Sequence, residues 1–491
     1  MKSTTLAFYA AVVFAVAVLG GCSESAPSGP DKSLGGATVT KYVAIGNSLT
    51  AGYQSNALYA SAQAYSYPNL IASQLKEAGA PLGSFEQPLY SDPGTPDPAT
   101  GKAARYEIIS LSGPVIGPKG LAPGSPLNAT LARPYDNLGI PGIVIASFTD
   151  ETNFTKNPLV DLVLRSAGGF PKSIYGHVQA LAANPATKPD LVTFWLGNND
   201  VLGFATSGGA SPAAPTATAT FTALYNDALA KLRATLPQAK IMVATIPDVR
   251  AIPFFSTVGP KMAAGIAAAK ALNPTIQGLF YQKHTETGVA SGLTNLNQPN
   301  DVMITLTGMA YAGLLGKPTG QWYKDKKYPA LPAGIDTTKP FGFHPQNPWP
   351  NALVLDESEQ LTAGTAVAEF NAAIKAAAAA NNAAVVDINA FFNDIRMNGI
   401  TFAGEKYSTA YVSGGLFSLD GVHPSSKGAA IVANEFIRVM NASFGMNVGY
   451  YDVSKAPGIP APLAKFAPNA PLPTISFEAM KSLVTMMGGR L

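Results

Sequence analysis

Four short segments of this chain carry groups that could act together on a carbonyl carbon, one of them a serine hydroxyl able to attack it. They are Gly46-Asn47-Ser48-Leu49-Thr50, Asn137-Leu138-Gly139-Ile140-Pro141-Gly142, Gly197-Asn198-Asn199-Asp200 and Asp420-Gly421-Val422-His423-Pro424. A serine hydroxyl is a poor nucleophile until an imidazole accepts its proton. The imidazole in turn needs a carboxylate on its other nitrogen, to fix the tautomer and stabilise the imidazolium. Asp420, three residues before His423, can reach that nitrogen across a single turn. The charge that develops on a tetrahedral intermediate is best met by fixed backbone amides and an uncharged donor such as an asparagine amide.

These segments must be held by something, and the apolar patterning says what. Lys41-Tyr-Val-Ala-Ile45, Leu191–Leu196, Ile241–Ile246 and Ala384–Val386 are short β-branched or apolar runs, as expected of strands covered on both faces. A further strand is expected just before Asn137. Between the strands lie helical faces, Phe221, Leu224, Tyr225, Ala228 and Leu232 in one, Ala429, Val432, Ala433, Phe436, Ile437 and Met440 in another. The alternation predicts a three-layer α/β/α fold on a parallel, flavodoxin-like sheet of about five strands; the strand order is not legible. In such a sheet ligands bind beyond the carboxyl ends of the strands, where three of the four segments fall.

Taken in order, the four segments resemble the blocks of the SGNH/GDSL hydrolase family, over Tyr42 to about Phe444. The resemblance implies a carboxylic ester hydrolase with Ser48 as nucleophile, His423 as base and Asp420 as its orienting acid. It makes the Ser48 amide, Gly142 and Asn199 the oxyanion donors, and implies no metal and no cofactor. Asn47 stands where the family usually has aspartate, which leaves Asp420 as the sole carboxylate partner for His423. The chain lacks the Gly-x-Ser-x-Gly elbow of α/β-hydrolases around Ser48.

Each of these residues also has a plainer reading. Ser48 could cap the helix after its strand, Gly142 could serve only its turn, and Asn198 is expected to shape the turn while Asn199 does the chemistry. Asp200 is expected to tie its loop, as are Asp248 and Asp387. His177, His284 and His344 have no partners at metal-ligand spacing. Phe341, Phe343, Trp322 and Trp349 are expected to pack.

The ends speak to location. Lys2 precedes the apolar run Leu6–Leu19 and then Gly20-Gly21-Cys22, which resembles a bacterial lipobox, so residues 1–21 are read as a lipoprotein signal peptide and Cys22 as the lipidated residue. Cys22 is the only cysteine in 491 residues, which removes disulfides and thiolate metal sites from consideration. Ser23, rather than aspartate, follows it, which fits the outer membrane or cell surface.

Residues 22–38 have linker composition, 39–445 form the hydrolase domain with insertions at about 82–134 and 251–353, and 446–491 is a Pro/Ala-rich tail with a short helix near Phe477–Met487. The 33 basic and 30 acidic residues nearly cancel, giving no basic stripe for nucleic acid. The expected substrate is an ester of a lipid, an acylated polysaccharide or a small alcohol, with the long insertion favouring a lid or acyl pocket. The competing expectation is a surface lipoprotein that keeps the fold but binds lipid or carbohydrate without cleaving it, or a purely structural envelope protein.

Overall fold

The computed structural model describes residues 32–111, 114–152, 157–283, 288–298, 301–459 and 470–491. The signal-like segment, Cys22, most of the linker and His284 lie outside them. Among the described residues no helix is long and apolar enough to cross a membrane.

Five parallel strands form the centre: β1 (Tyr42–Gly46), β2 (Asn137–Gly139), β3 (Leu191–Trp195), β4 (Lys240–Ala244) and β5 (Ala384–Val386), in the order β5-β4-β3-β1-β2. The expected strand before Asn137 instead begins at Asn137: Pro134 has no amide to donate, and the Asp136 and Asn137 amides both turn to the Glu86 carbonyl. β1 is wholly buried and sits between β2 and β3, with Gly46 paired to Gly139 on one side and to Trp195 on the other. After β1 the chain steps one way to β2, and then crosses back to β3. The crevice beyond the carboxyl ends of β1 and β3 is therefore the switch point at which such sheets bind ligands.

Strand periodicity sends neighbouring side chains to opposite layers. From β3, Trp195 meets Phe436 at 5.9 Å while Phe194 meets Tyr225 at 5.5 Å. The first layer holds helices α1 (Tyr67–Glu77) and α4 (Ser426–Phe444), whose Tyr67 and Phe436 rings stack at 4.8 Å. The second holds α2 (Thr218–Thr235) and α3 (Glu357–Ala380), joined by Phe221 stacked on Phe370 at 4.0 Å. A reciprocal cap starts α3: Asp356 accepts from the Ser358 and Glu359 amides, and Glu359 accepts from the Asp356 amide.

The excursions from this core are more ordered than their composition suggests. Within 82–134, Tyr106–Ser110 pairs antiparallel with Val115–Pro118, and Thr474–Ile475 adds parallel to the latter. The described part of the expected tail from 470 on is thus packed into the fold. Its helix α5 (Phe477–Met486) buries Phe477, Met480, Leu483 and Val484, an apolar face at helical spacing that an average over Pro and Ala conceals. Even the end of the linker is engaged, since Ser33 and Asn447 exchange backbone hydrogen bonds of 3.1 and 3.0 Å. In the 251–353 stretch Phe341, Trp322 and Trp349 are buried, and Trp322 packs edge-on against Phe477 at 5.7 Å.

Two glycines let backbone segments approach closely at the head of the sheet. A Cβ on Gly46 would stand 2.0 Å from Thr50 Oγ1, and one on Gly139 would stand 2.3 Å from the Ala51 nitrogen. The short helix Ser48–Ala51 therefore rests directly on the backbone of β2. Gly139→Ala should push that helix outward, with an overpacking cost of ~1–3 kcal/mol. Thermal denaturation should show a lowered Tm, whereas an unchanged Tm would mean that the Ser48–Ala51 helix does not bear on β2.

Candidate active site

Ser48 opens the turn of helix that follows β1. The Asn47 side chain caps that turn by accepting from the Leu49 amide at 3.1 Å, the kind of cap that short polar residues provide. Ser48 is itself buried, at 4% exposure, so its hydroxyl faces the interior crevice and not bulk water.

His423 approaches from the other end of the sequence, in the loop just before α4. Its Nε2 lies 2.9 Å from Ser48 Oγ, and its Nδ1 lies 3.0 Å from Asp420 Oδ2. The second Asp420 oxygen accepts from the Val422 and His423 amides at 2.9 and 2.8 Å, a tight turn that carries the carboxylate back onto its own imidazole. Burial works against the charge on Asp420, but the adjacent His423 and the amide donors outweigh it and hold the carboxyl below its usual range. The acid therefore stays ionised where an ordinary aspartate would begin to protonate.

Sequence reasoning missed the loop after the nucleophile turn. The Asn56 amide donates to Asp420 Oδ2 at 3.0 Å, and the Ser55 amide donates to Ser418 Oγ at 2.9 Å. Ser55 and Asn56 both adopt positive φ, 51° and 64°, a conformation that asparagine tolerates better than most residues. The Tyr53 ring packs against the His423 ring at 4.9 Å, and its hydroxyl donates to Asn56 Oδ1 at 3.1 Å. The polar, turn-prone types at 54–56 were the available signal; nothing in them pointed to Asp420.

The expected oxyanion donors separate. Ser48 and Asn199 line one cavity of about 60 Å³, together with His423, while Gly142 does not. Gly142 sits at a turn with φ 79°, where a Cβ would come within 2.5 Å of the Met486 carbonyl oxygen, so a glycine is required there for the turn and the close approach. Asn199 donates one amide hydrogen to the Ile143 carbonyl at 2.8 Å, which ties the head of its helix to the loop after β2. Asp200 supports the same junction by accepting from the Ile145 amide at 2.9 Å and from the Thr216 hydroxyl at 2.8 Å; burial pushes its carboxyl up to about 6.

Asn198 lies in the turn, as expected: the Asp200 amide closes it on the Gly197 carbonyl at 3.2 Å, and the Asn198 carbonyl accepts from the Leu202 amide at 3.0 Å to start the helix. Its side chain makes no capping bond, and both amide atoms are buried beside the same cavity without a partner. Gly197, at φ 115°, opens the turn, its missing side chain leaving room for Phe221 and Ile246.

Around these polar groups the wall is apolar, including Leu202, Val249, Ile252, Phe417 and Val432. Among its described residues the 251–353 stretch reaches it only through Ala251 and Ile252. Asp248 also borders the cavity, yet it is spoken for. Burial opposes its charge, but the Arg250 guanidinium, bonded to both oxygens at 2.9 Å, holds it below the usual range. Asp387 is tied to Lys375 and Thr245.

The other described histidines, His177 and His344, are held in local contacts. His177 is fully buried with Nε2 2.9 Å from the Pro171 carbonyl, and burial lowers it to about 4; His344 Nδ1 accepts from the Gln346 amide. Among the described residues no group of three His, Cys, Asp or Glu could hold a metal ion.

A serine hydroxyl on an imidazole that is backed by an ionised carboxylate, facing an apolar chamber, is equipped to take an acyl group from an ester. Comparison with known proteins bears on the same point. The sequence matches the GDSL-like Lipase/Acylhydrolase family over residues 42–289 and 325–436. No curated protein matches it significantly.

Among solved structures, an alpha/beta hydrolase enzyme from the metagenome of Lake Arreo, Spain, is 10% identical with a TM-score of 0.33, covering 84% of this chain and 98% of its own. A protein described as a GDSL-like lipase from Parabacteroides merdae is 12% identical with a TM-score of 0.32, covering 84% and 99%. A family 3 carbohydrate esterase from Clostridium thermocellum is 15% identical with a TM-score of 0.19, covering 49% and 71%. With the family matched over most of its length, including both segments that carry the serine and the histidine, this chain belongs to the GDSL-like lipase/acylhydrolase family and is a carboxylic ester hydrolase.

Proposed function

We propose that this protein is an exported, lipid-anchored serine esterase that works through a Ser48–His423–Asp420 triad and an acyl-enzyme intermediate. The observation that carries the reading is the unbroken hydrogen-bonded chain from Ser48 Oγ through the His423 ring to Asp420, on the wall of an apolar cavity. In it, Ser48 Oγ adds to the ester carbonyl as its proton passes to His423 Nε2, and the carbonyl oxygen takes the negative charge. Collapse breaks the bond to the alcohol oxygen, which leaves with the proton from His423. Water then adds to the acyl-serine by the same route and releases the acid.

Asn199 suits the oxyanion role, because the Ile143 carbonyl fixes one amide hydrogen and orients the other, so little reorganisation is needed as charge develops. The apolar lining supports an acyl group as the occupant of the cavity. The non-catalytic alternative gains no support from a serine already placed on its base. Export and lipidation rest on the signal-like segment and the lone Cys22.

Three outcomes are expected. Ser48→Ala and His423→Ala should each lower kcat on 4-nitrophenyl acetate by at least ~10⁴-fold, and Asp420→Asn by about 10³–10⁴-fold through the wrong imidazole tautomer. Because Asp420 is held below the usual carboxylate range, its own protonation should limit kcat/KM only at lower pH than an ordinary aspartate would, and a loss of activity at the ordinary aspartate range would count against that pairing. Folded variants with parental rates would remove these three residues from the catalytic machinery, and a folded parent without turnover would leave the binding-only lipoprotein in its place.

Asn199→Ala should lose about 10²–10³-fold in kcat with little change in KM. A rise in KM at unchanged kcat would assign Asn199 to ground-state binding. In the native host, Cys22→Ser should move the protein from the membrane to the soluble fraction. Retention on membranes washed at high salt would rule out lipid anchoring through Cys22.

A further inference from the structure

The crevice and the amino-terminal segment meet the sheet at opposite ends. Ser48 and His423 stand at the carboxyl ends of the strands, beside the first turn of α4, where the Ser426 hydroxyl donates to Gln54 Oε1 at 3.2 Å. From there α4 runs 19 residues to Phe444, a length of about 28 Å at 1.5 Å per residue. α1 runs the same way: Tyr67 bonds Thr50 beside the nucleophile turn, and Glu77 ends the helix at the far side. The far ends of both helices and the amino ends of the strands together make a base.

The first described residues are strapped across that base. Lys32 Nζ reaches Glu77 at 2.6 Å, Ser33 and Asn447 exchange backbone hydrogen bonds just past the end of α4, and a Cβ on Gly35 would stand 2.0 Å from the Gly445 carbonyl oxygen. Val39 is fully buried, and the Thr40 amide and hydroxyl donate to Asp190 at 2.7 and 2.6 Å, immediately before β1 and β3 begin. The exposed ion pair contributes little by itself; the backbone pair at Ser33 and the buried Val39 fix the path. Whatever precedes Lys32 therefore leaves from the base. Cys22 lies ten residues before it (32 − 22), and ten residues span about 33–36 Å fully extended and roughly 16–19 Å as a flexible coil. To lay the crevice on a bilayer that holds Cys22, the chain would have to run back along the whole of α4, close to its limit. With the base toward the bilayer it needs almost none of that length.

From this we infer that the strap from Lys32 to Thr40 holds the anchored molecule base-down, with its crevice turned away from the bilayer, so that its substrates are esters presented from the aqueous side and not the acyl lipids beneath it. This rests on Cys22 being the lipidated residue.

Because Cys22 is the only cysteine, one added to the lipidated full-length protein is its sole free thiol. A dye is attached at Lys76→Cys, exposed at the base end of α1, or at Ser256→Cys, exposed one turn past Ile252 of the cavity wall. Energy transfer to phosphatidylcholine vesicles carrying an acceptor lipid is then measured. Transfer should be greater from the Lys76 position than from the Ser256 position, and inserting about 20 Gly and Ser residues after Ser28 should bring the two together. Equal transfer in the parent, or greater transfer from the Ser256 position, overturns the orientation. The anchored parent should also cleave acetylated dioleoylglycerol in its own vesicle at least about tenfold more slowly than the protein with the lengthened tether, because a tether that hardly spans the distance gives a low effective concentration. Both proteins should turn over 4-nitrophenyl acetate in the surrounding water equally. Cleavage of the bilayer ester by both at one rate overturns the substrate class. No transfer from either position overturns lipid anchoring through Cys22, and this orientation with it, while leaving the triad standing.

Discussion

A carboxylate with no exposed surface must find its counter-interactions inside the protein, and Asp420 is such a group. It receives four N–H donors, from the backbone of Asn56, Val422 and His423 and from the His423 ring. An ionised buried group is tolerable only when its lone pairs are met in this way. The requirement reaches outward in two directions. It forces 420–423 into a turn that points the imidazole at Ser48, and it draws in the 53–56 loop, whose left-handed residues at 55 and 56 aim an amide at the acid. That loop is fastened to the nucleophile turn where it begins, because the Tyr53 amide donates to the Ser48 carbonyl at 3.0 Å. Base, acid and serine therefore share one hydrogen-bonded unit.

The sheet supplies what this unit cannot make for itself. β1 and β3 are buried on both faces and end at the same level, so the residues just beyond them emerge side by side whatever the surrounding loops do. The glycines at 46 and 139 set how near the serine turn can come to that edge. Loops carry the chemistry and the parallel strands fix where the loops begin, a division of labour that lets reactive groups be buried without being part of the apolar core.

How much of this could be read from the sequence follows from the range of each interaction. The Asp420–His423 pair is local, three residues apart, and side-chain type alone announces it. The central strands were legible because burial on both faces leaves an unbroken apolar run. The contact of the Asn56 amide with Asp420 spans 364 positions and uses a backbone atom that every residue but proline possesses, so no residue type could disclose it. Asn198 is legible only in part for a related reason: an asparagine beside a glycine suits a turn and lies in one, and only the packed structure shows that its side-chain amide bonds nothing. The same holds for 446–491, where prolines and alanines dilute an apolar helical face that becomes evident only against its partners.

That last segment bears on how the molecule is made. The Gly142 turn is braced by the Met486 carbonyl, and the strand Val115–Pro118 is completed by Thr474–Ile475. A chain synthesised from its amino end exposes the serine turn and the β2 loop long before either brace exists. Both contacts can therefore form only after residues 474–486 have left the ribosome, long after the serine turn has been made.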